Sequence, residues 1–593
     1  VKTVIIITAG FKELGKEGAL LERRVGEIAK KYGMRVLGPN CMGIMNTRHR
    51  MNATFTNIRP ANGSVAIASQ SGAVCSSMLD WSTESQVGFS NFISVGNKVD
   101  IDEADLLDYL KDDPATNVIG IYLESADRGR EFMRQALKTS AAKPIIVLKS
   151  GRTSTGSKAA SSHTGALSGS DKVYDAAFRQ ANIIRVDTLD EMFDILQVFA
   201  HMPLPKGDGL AIITNAGGHG VMAADACSDY GLTLATFEKE TIEKLKSYLP
   251  PAANVYNPVD VLGDASAARY EFAIKTVMED PNVSCVAVLL APLDTVDVMK
   301  VAELIASYSG KVDMPIVGAF VGGTKTREGL KLLQESKVPC YDSPDKAIRA
   351  LGAMVRYKKM QEAAGDTTPV EIEGDKQKVR AIIDSVRRSG RTTLSESEGK
   401  DILRAYGISV PDEVTCKTAE EAAKAAANIG LPVVMKIDSP DIAHKSDVGG
   451  VVVGVNSEED VRMHFELMMS KVRSRVPGAH INGVTVCKMV EGKEILIGMT
   501  RDEQFGPVIT FGLGGVFVEI MKDVTQSIAP LTRNNVDTMI KSIRSYPILT
   551  GARGGKAADI NSLKDVIFRI AQISLDFPDV SELEINPIMV GDE

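Results

Sequence analysis

Val65-Ala66-Ile67-Ala68-Ser69-Gln70-Ser71-Gly72-Ala73-Val74 decides the fold. Four apolar residues in a row predict a buried strand, residues 69–72 a tight turn of small residues, and residues 73–81 the start of a helix. Further strands are expected over 92–95 and 118–123, each followed by polar turn residues and a helical stretch. Strands that repeatedly give way to helices build a parallel sheet covered on both faces, and such sheets bind ligands outside the carboxyl ends of their strands.

The same alternation extends in both directions. Upstream, strands over 3–8 and 35–37 flank a helix that sets Leu21, Val25, Ile28 and Tyr32 on one face. The second strand ends in Gly38-Pro39-Asn40-Cys41-Met42-Gly43, so residues 1–60 read as the last part of a dinucleotide-type, Rossmann-like domain that the chain enters partway through. Downstream, residues 61–203 and 204–360 form two flavodoxin-like domains of one architecture. The second has a strand over 210–214, the turn Asn215-Ala216-Gly217-Gly218-His219-Gly220 and a helix over 221–229. Paired local patterns, Lys143-Pro144-Ile145-Ile146 beside Met314-Pro315-Ile316-Val317, point to a duplication. A polar, turn-rich linker with a short basic helix covers 361–393, and a capped helix start, Leu394-Ser395-Glu396-Ser397-Glu398, opens a last domain over 394–593.

The 593 residues are too many for one core and suit about four domains. A net charge of −8 argues against nucleic acid or an anionic membrane as the main partner. No run of 18 apolar residues and no signal pattern is present, so a cytoplasmic location is expected. Seven scattered cysteines without a CxxC pair read as reduced thiols, and seven histidines without paired spacing argue against zinc.

Three constellations carry chemistry. Ser161-Ser162-His163-Thr164-Gly165-Ala166-Leu167-Ser168 follows an apolar strand over 144–148 and precedes a helix start near Ser170. A histidine among small hydroxyl residues and glycine just before helix N–H groups has what a phosphorylated imidazole needs, although the octapeptide alone also reads as an ordinary exposed loop. Around it, the Ser69-Gln70-Ser71-Gly72 turn, with Thr164 and Gly165, would bind phosphate. Glu124, at the end of a strand, could accept Nδ1–H of His163 and leave Nε2 as the carrier. In the last domain a strand over 431–436 ends in Lys436 and leads to the loop His444-Lys445-Ser446-Asp447-Val448-Gly449-Gly450, a lysine and glycines without P-loop spacing. Further on, Phe511-Gly512-Leu513-Gly514-Gly515 to Glu519, then Arg553 among glycines, then Glu582-Leu583-Glu584-Ile585-Asn586-Pro587 follow in order. Glu584 and Asn586 alternate with apolar residues, so both face one side as oxygen ligands for Mg2+.

With Gly38-Pro39-Asn40-Cys41, Ser69-Gln70-Ser71-Gly72, Ser162-His163-Thr164-Gly165-Ala166, Asn257-Pro258-Val259-Asp260, His444-Lys445-Ser446-Asp447-Val448-Gly449-Gly450 and Glu584-Ile585-Asn586-Pro587, the chain resembles the fused α–β form of the NDP-forming acyl-CoA synthetases. This is the ADP-forming acetyl-CoA synthetase group, related to succinyl-CoA synthetase. The resemblance implies a CoA-binding domain, two ligase domains and an ATP-grasp domain. It implies a ligase that uses ATP, CoA and Mg2+ to convert a short-chain or hydroxy acid into its CoA ester through an acyl phosphate. It also implies phosphohistidine at His163 supported by Glu124, a part for His444 in carrying the phosphoryl group, CoA or acyl contacts at Asn40, Cys41 and Gly43, and nucleotide contacts at Lys436, Gly449, Gly450, Glu519 and Arg553. Small-molecule substrates and a homo-oligomer, a dimer, are expected. The family's N-terminal glycine loop would precede Val1, and a second acidic Mg2+ ligand would follow Glu593. The competing class is a non-catalytic CoA-binding or acyltransferase scaffold, against which the retention of both histidines speaks.

Overall fold

The computed structural model describes residues 1–593 except 154, 157–169, 364, 366, 443, 516–522 and 592–593, and not the side chain of Arg553. The chain forms two compact units, residues 1–365 with 503–505, and residues 366–502 with 506–593.

In the first unit β1 (Thr3–Ile5) pairs in parallel with β2 (Arg35–Leu37). A seven-stranded sheet follows, built from β3 (Gly43–Asn46), β4 (Met51–Thr54), β5 (Asn62–Ser69), β6 (Phe89–Ser94), β7 (Val118–Leu123), β8 (Ile145–Lys149) and β9 (Ile184–Val186). Its order is β4-β3-β6-β5-β7-β8-β9. The run from β6 to β9 is parallel and has the flavodoxin order, second strand outermost and first strand beside the third. β3 lies antiparallel on its edge. A second sheet repeats the order, β11 (Thr233–Leu234), β10 (Gly209–Thr214), β13 (Cys285–Leu290), β14 (Ile316–Phe320) and β15 (Cys340–Tyr341), with β12 (Val259–Asp260) also on β10.

β6 begins three residues earlier than the expected 92–95 because Ser90 and Asn91, polar and buried, are satisfied inside the fold. Ser90 Oγ lies 2.7 Å from Thr116 Oγ1, and Asn91 Nδ2 donates to Asp113 Oδ2 at 2.7 Å. The two halves share one core, in which helix Pro344–Glu362 packs against helices Leu189–His201 and Gly217–Tyr230. The single tryptophan, Trp81, stacks on Phe193 at 4.3 Å in this core.

The second unit holds two antiparallel sheets among the described residues. One has the order β16 (Glu413–Cys416), β19 (Gly483–Lys488), β17 (Val433–Asp438), β18 (Val451–Val455). The other has β22 (Val524–Ile528), β21 (Gly506–Leu513), β20 (Lys493–Asp502), β23 (Glu582–Val590). Helix Lys376–Arg388 buries Val379, Ile383 and Val386 in this unit's core. Among the described residues no helix is long and apolar enough to cross a membrane.

The likeness of the two halves reaches single hydrogen bonds. Ser69 Oγ donates to Ser71 O at 3.0 Å and accepts from its N–H at 3.2 Å, and Thr214 Oγ1 does the same with Ala216, at 3.0 Å both ways. The next residue in each turn then clamps the end of the neighbouring strand. Gln70 Oε1 accepts from the N–H groups of Glu124 and Ser125, and its Nε2 donates to Ser125 O at 2.7 Å. Asn215 Oδ1 accepts from Ala291 N–H at 2.8 Å, and its Nδ2 donates to Ala291 O at 2.9 Å. Asn215→Ala would strand both backbone groups of buried Ala291. The expected loss is about 1–3 kcal/mol, read as a lower urea midpoint by Trp81 fluorescence; an unchanged midpoint would contradict the clamp.

Candidate functional site

The carboxyl rim of the first sheet gathers several of the residues singled out in the sequence. Ser71 caps helix Gly72–Ser85, its Oγ accepting from Val74 N–H at 3.3 Å, and space in front of Gly72 is open. The first helical N–H groups therefore point outward unpaired by the helix itself, which is what an anion seeks. Ser69 is fully buried and its hydroxyl belongs to the turn. The Gln70 amide is likewise engaged, holding the Glu124–Ser125 backbone and donating to the buried Glu103 carboxylate at 2.5 Å. Both are thus placed to shape the rim, with Ser71 and Gly72 at its open side.

Glu124 follows β7 directly and is half-buried. Burial raises the Tyr122 hydroxyl above its ordinary range, and the neighbouring Glu124 carboxylate raises it further. His163, Thr164 and Gly165 lie outside the described residues.

Lys149 escaped the sequence reading, which ended its strand at 148. It is the last residue of β8, 2% exposed, with Nζ donating to Ser150 O and lying 4.5 Å from the Tyr174 ring centroid. Burial pulls its ammonium down to about 8, with Asp171 and Glu124 acting in the opposite sense. The only local sign of it was a lysine closing an apolar run at a predicted sheet rim.

At the first segment, the turn 38–43 is pressed against the loop after β6. Asn97 N–H donates to Pro39 O at 2.8 Å and Val99 N–H to Gly38 O at 3.0 Å. Gly96 has φ +58°, and a side chain there would collide with the Pro39 and Asn40 carbonyls. Asn40 itself adopts φ +56° and is exposed, its Nδ2 donating to Asn97 Oδ1 at 3.3 Å. Cys41 points the other way. It is 3% exposed, its thiol donates to Ile6 O at 3.4 Å, and burial raises its pKa. Gly43 opens β3 with φ +109°, where a side chain would strike Ala53 O.

In the second unit β17 extends two residues past Lys436, because its pairing with β19 continues to Asp438 opposite Gly483. Its alternation buries Val433, Met435 and Ile437 and leaves Lys436 on the other face. There Lys436 Nζ is 3.5 Å from Glu396 Oε1. The same carboxylate accepts from Lys400 at 2.9 Å and from Lys445. Burial alone would raise the Glu396 carboxyl; Lys436, Lys445 and Lys400 reverse this and bring it to about 2. The loop between β17 and β18 turns at Gly449, φ +73°, where a side chain would meet Lys471, and Gly450 N–H donates to Lys445 O at 2.8 Å. His444 is exposed on this loop.

On β23, Glu584 and Asn586 are exposed on one side, Asn586 Nδ2 lying 3.5 Å from Glu584 Oε1, while Asn586 Oδ1 accepts from Gly515 N–H at 3.1 Å. No group of three or more His, Cys, Asp or Glu that could hold a metal occurs among the described residues. A carboxylate and an amide oxygen on one side of a strand are of the kind Mg2+ takes beside waters and phosphate oxygens. Glu519 and the side chain of Arg553 lie outside the described residues.

Three family profiles match: a succinyl-CoA ligase like flavodoxin domain over residues 62–199, a ligase-CoA domain over 210–365 and an ATP-grasp domain over 385–593. An ADP-forming acetate–CoA ligase of Archaeoglobus fulgidus is 44% identical over 591 residues, covering 100% of this chain and 85% of the relative. An ADP-forming 4-hydroxybutyrate–CoA ligase of Nitrosopumilus maritimus is 40% identical over 596 residues, with the same coverage of 100% and 85%. Among solved structures, an acetyl-coenzyme A synthetase of Korarchaeum cryptofilum in complex with phosphate and ADP superposes with a TM-score of 0.59. It is 36% identical and covers 61% of this chain and 78% of that one.

Between about pH 8 and 10.5 the unfolded chain holds the Lys149 proton and the folded chain has lost it. Stability from this group therefore rises with pH across that window. Relative to Lys149→Met, the wild type is expected to gain stability from pH 8 to 10.5 in urea unfolding followed by Trp81 fluorescence. Parallel curves would mean that the ammonium is solvated.

Proposed function

We propose that this chain, which belongs to the family of ADP-forming acyl-CoA ligases, joins a short-chain carboxylic acid to CoA with ATP as phosphoryl donor, releasing ADP and phosphate. The relatives named for acetate and for 4-hydroxybutyrate support a small acid, with or without a hydroxyl group. The observation that carries the mechanism is the rim of the first sheet. A capped helix start and a strand-end glutamate whose backbone N–H Gln70 holds stand at the carboxyl ends of neighbouring strands β5 and β7.

On this reading the γ-phosphoryl group of ATP passes to His163 Nε2 and ADP leaves. Lys436 and Arg553 offset the charge, and Gly449 and Gly450 let the backbone approach the phosphates. Glu124 takes the Nδ1 proton in hydrogen bond and fixes the tautomer. His444, exposed on the glycine loop, shares in carrying the phosphoryl group. Ser71, Gly72, Thr164 and Gly165 receive the phosphate at the first sheet, where Ser69 and Gln70 set the turn. The acid's carboxylate oxygen then attacks phosphorus, forming an acyl phosphate and freeing the imidazole. The CoA thiolate, held near Asn40 and Gly43, attacks the acyl carbon, and phosphate departs. Each step is an easy transfer in place of one hard condensation. Glu519 would contact the nucleotide, and Glu584 and Asn586 would hold Mg2+, which supplies charge neutralisation at the nucleotide phosphates.

A homodimer in the cytoplasm completes the reading. All seven cysteines are free and buried, as suits a reducing compartment. Light scattering behind gel filtration reads the oligomer.

His163→Ala is expected to form no acid-labile phosphoenzyme from γ-labelled ATP and to lower acyl-CoA formation to background, while still binding ADP. Near-normal acyl-CoA formation by this variant would refute the carrier.

A further inference from the structure

Glu396 has no part in the scheme above, yet it sits at the centre of the charged cluster beside the glycine loop. It is the first residue of helix Glu396–Ala405, whose start is fixed by the Ser395 and Glu398 capping box. Its carboxylate is shared by Lys400, one turn along the helix, by Lys436 of β17, and by Lys445 of the loop. Lys400 has a second carboxylate, Glu413. Among the described residues three ammonium groups thus face two carboxylates, and the excess positive charge falls on Lys436 and Lys445, which share Glu396. The Lys436 and Glu396 side chains are 33% and 34% exposed, so an incoming anion can reach them.

We infer that Glu396 is a positioning residue of the nucleotide clamp: it holds the Lys436 and Lys445 ammonium groups at one point and surrenders them to the nucleotide phosphates. The inference rests on the reading of Lys436 as a phosphate ligand. A carboxylate that stays ionised at any working pH offers the lysines the same sign of charge that a phosphate brings. It therefore orders the two long side chains beforehand and also competes for them. Removing the charge should relieve the competition and lose the order.

The test uses the full chain. Glu396→Gln is expected to bind ADP about five-fold more tightly by titration calorimetry, and to lower kcat at least ten-fold with KM for ATP falling alongside. Glu396→Asp, which keeps the charge, should recover most of kcat and the wild-type affinity. A role confined to fastening the helix would lower the unfolding midpoint of Glu396→Gln and leave ADP affinity and kcat unchanged; that result, or weaker ADP binding, overturns the inference. Lys436→Ala separates the two levels. If it binds ADP as tightly as wild type, the clamp reading itself fails. If it binds more weakly while Glu396→Gln binds no more tightly, the role of Glu396 alone fails.

Discussion

The rim of each flavodoxin half depends on one carboxamide. Parallel strands end with backbone N–H and C=O groups that no neighbour pairs, and at the carboxyl edge these would otherwise be buried unsatisfied. An amide side chain carries a donor and an acceptor at the right separation, so Gln70 and Asn215 each satisfy both kinds of group on the adjoining strand end. The consequence is economy at the helix start. Because side chains serve the strand end, the first N–H groups of the helix after Ser71 remain available to a ligand. Glu124 is placed by the same clamp, since its own N–H is one of the groups Gln70 holds.

That dependence also explains which parts of the molecule could be read from the sequence. Strand, turn and helix at 65–85 are local patterns, and the open position at Gly72 follows from residue size. The partner of Gln70 lies 54 residues away, and no spacing rule announces it. β6 was shortened in the reading because Ser90 and Asn91 look like turn residues until Thr116 and Asp113 are seen beside them. Lys149 was passed over since a lysine usually ends a strand in solvent, whereas here the Tyr174 ring covers it. In the sequence Glu396 reads as part of a helix cap, because Lys436 and Lys445 reach it only through the folded sheet. The resemblance placed His163 and Glu519 in roles that the described residues do not reach.

On the proposed reading the two units would meet anionic groups by different physics. The first offers backbone N–H groups at a helix start, and Lys98, in the loop after β6, is already shared between Glu103 and Asp127 at 3.5 Å each. The second offers ammonium groups, with one positive charge in excess over the carboxylates of the Glu396 cluster among the described residues. Backbone N–H groups are rigid and select geometry; ammonium groups on long stems follow charge and tolerate movement.

A phosphoryl group carried between such places, as proposed above, would set a limit on both. Tight, uniform binding at either would lower the energy of the carrier in its ground state and slow its departure, without helping the transfer. Lys98, neutralised at the first rim, and Glu396, spread over three lysines in the second unit, act in the same direction. Each takes positive charge out of play until a competing anion arrives. On the reading proposed above, the excess charge at Lys436 and Lys445 would receive a nucleotide without binding it so tightly that transfer slows.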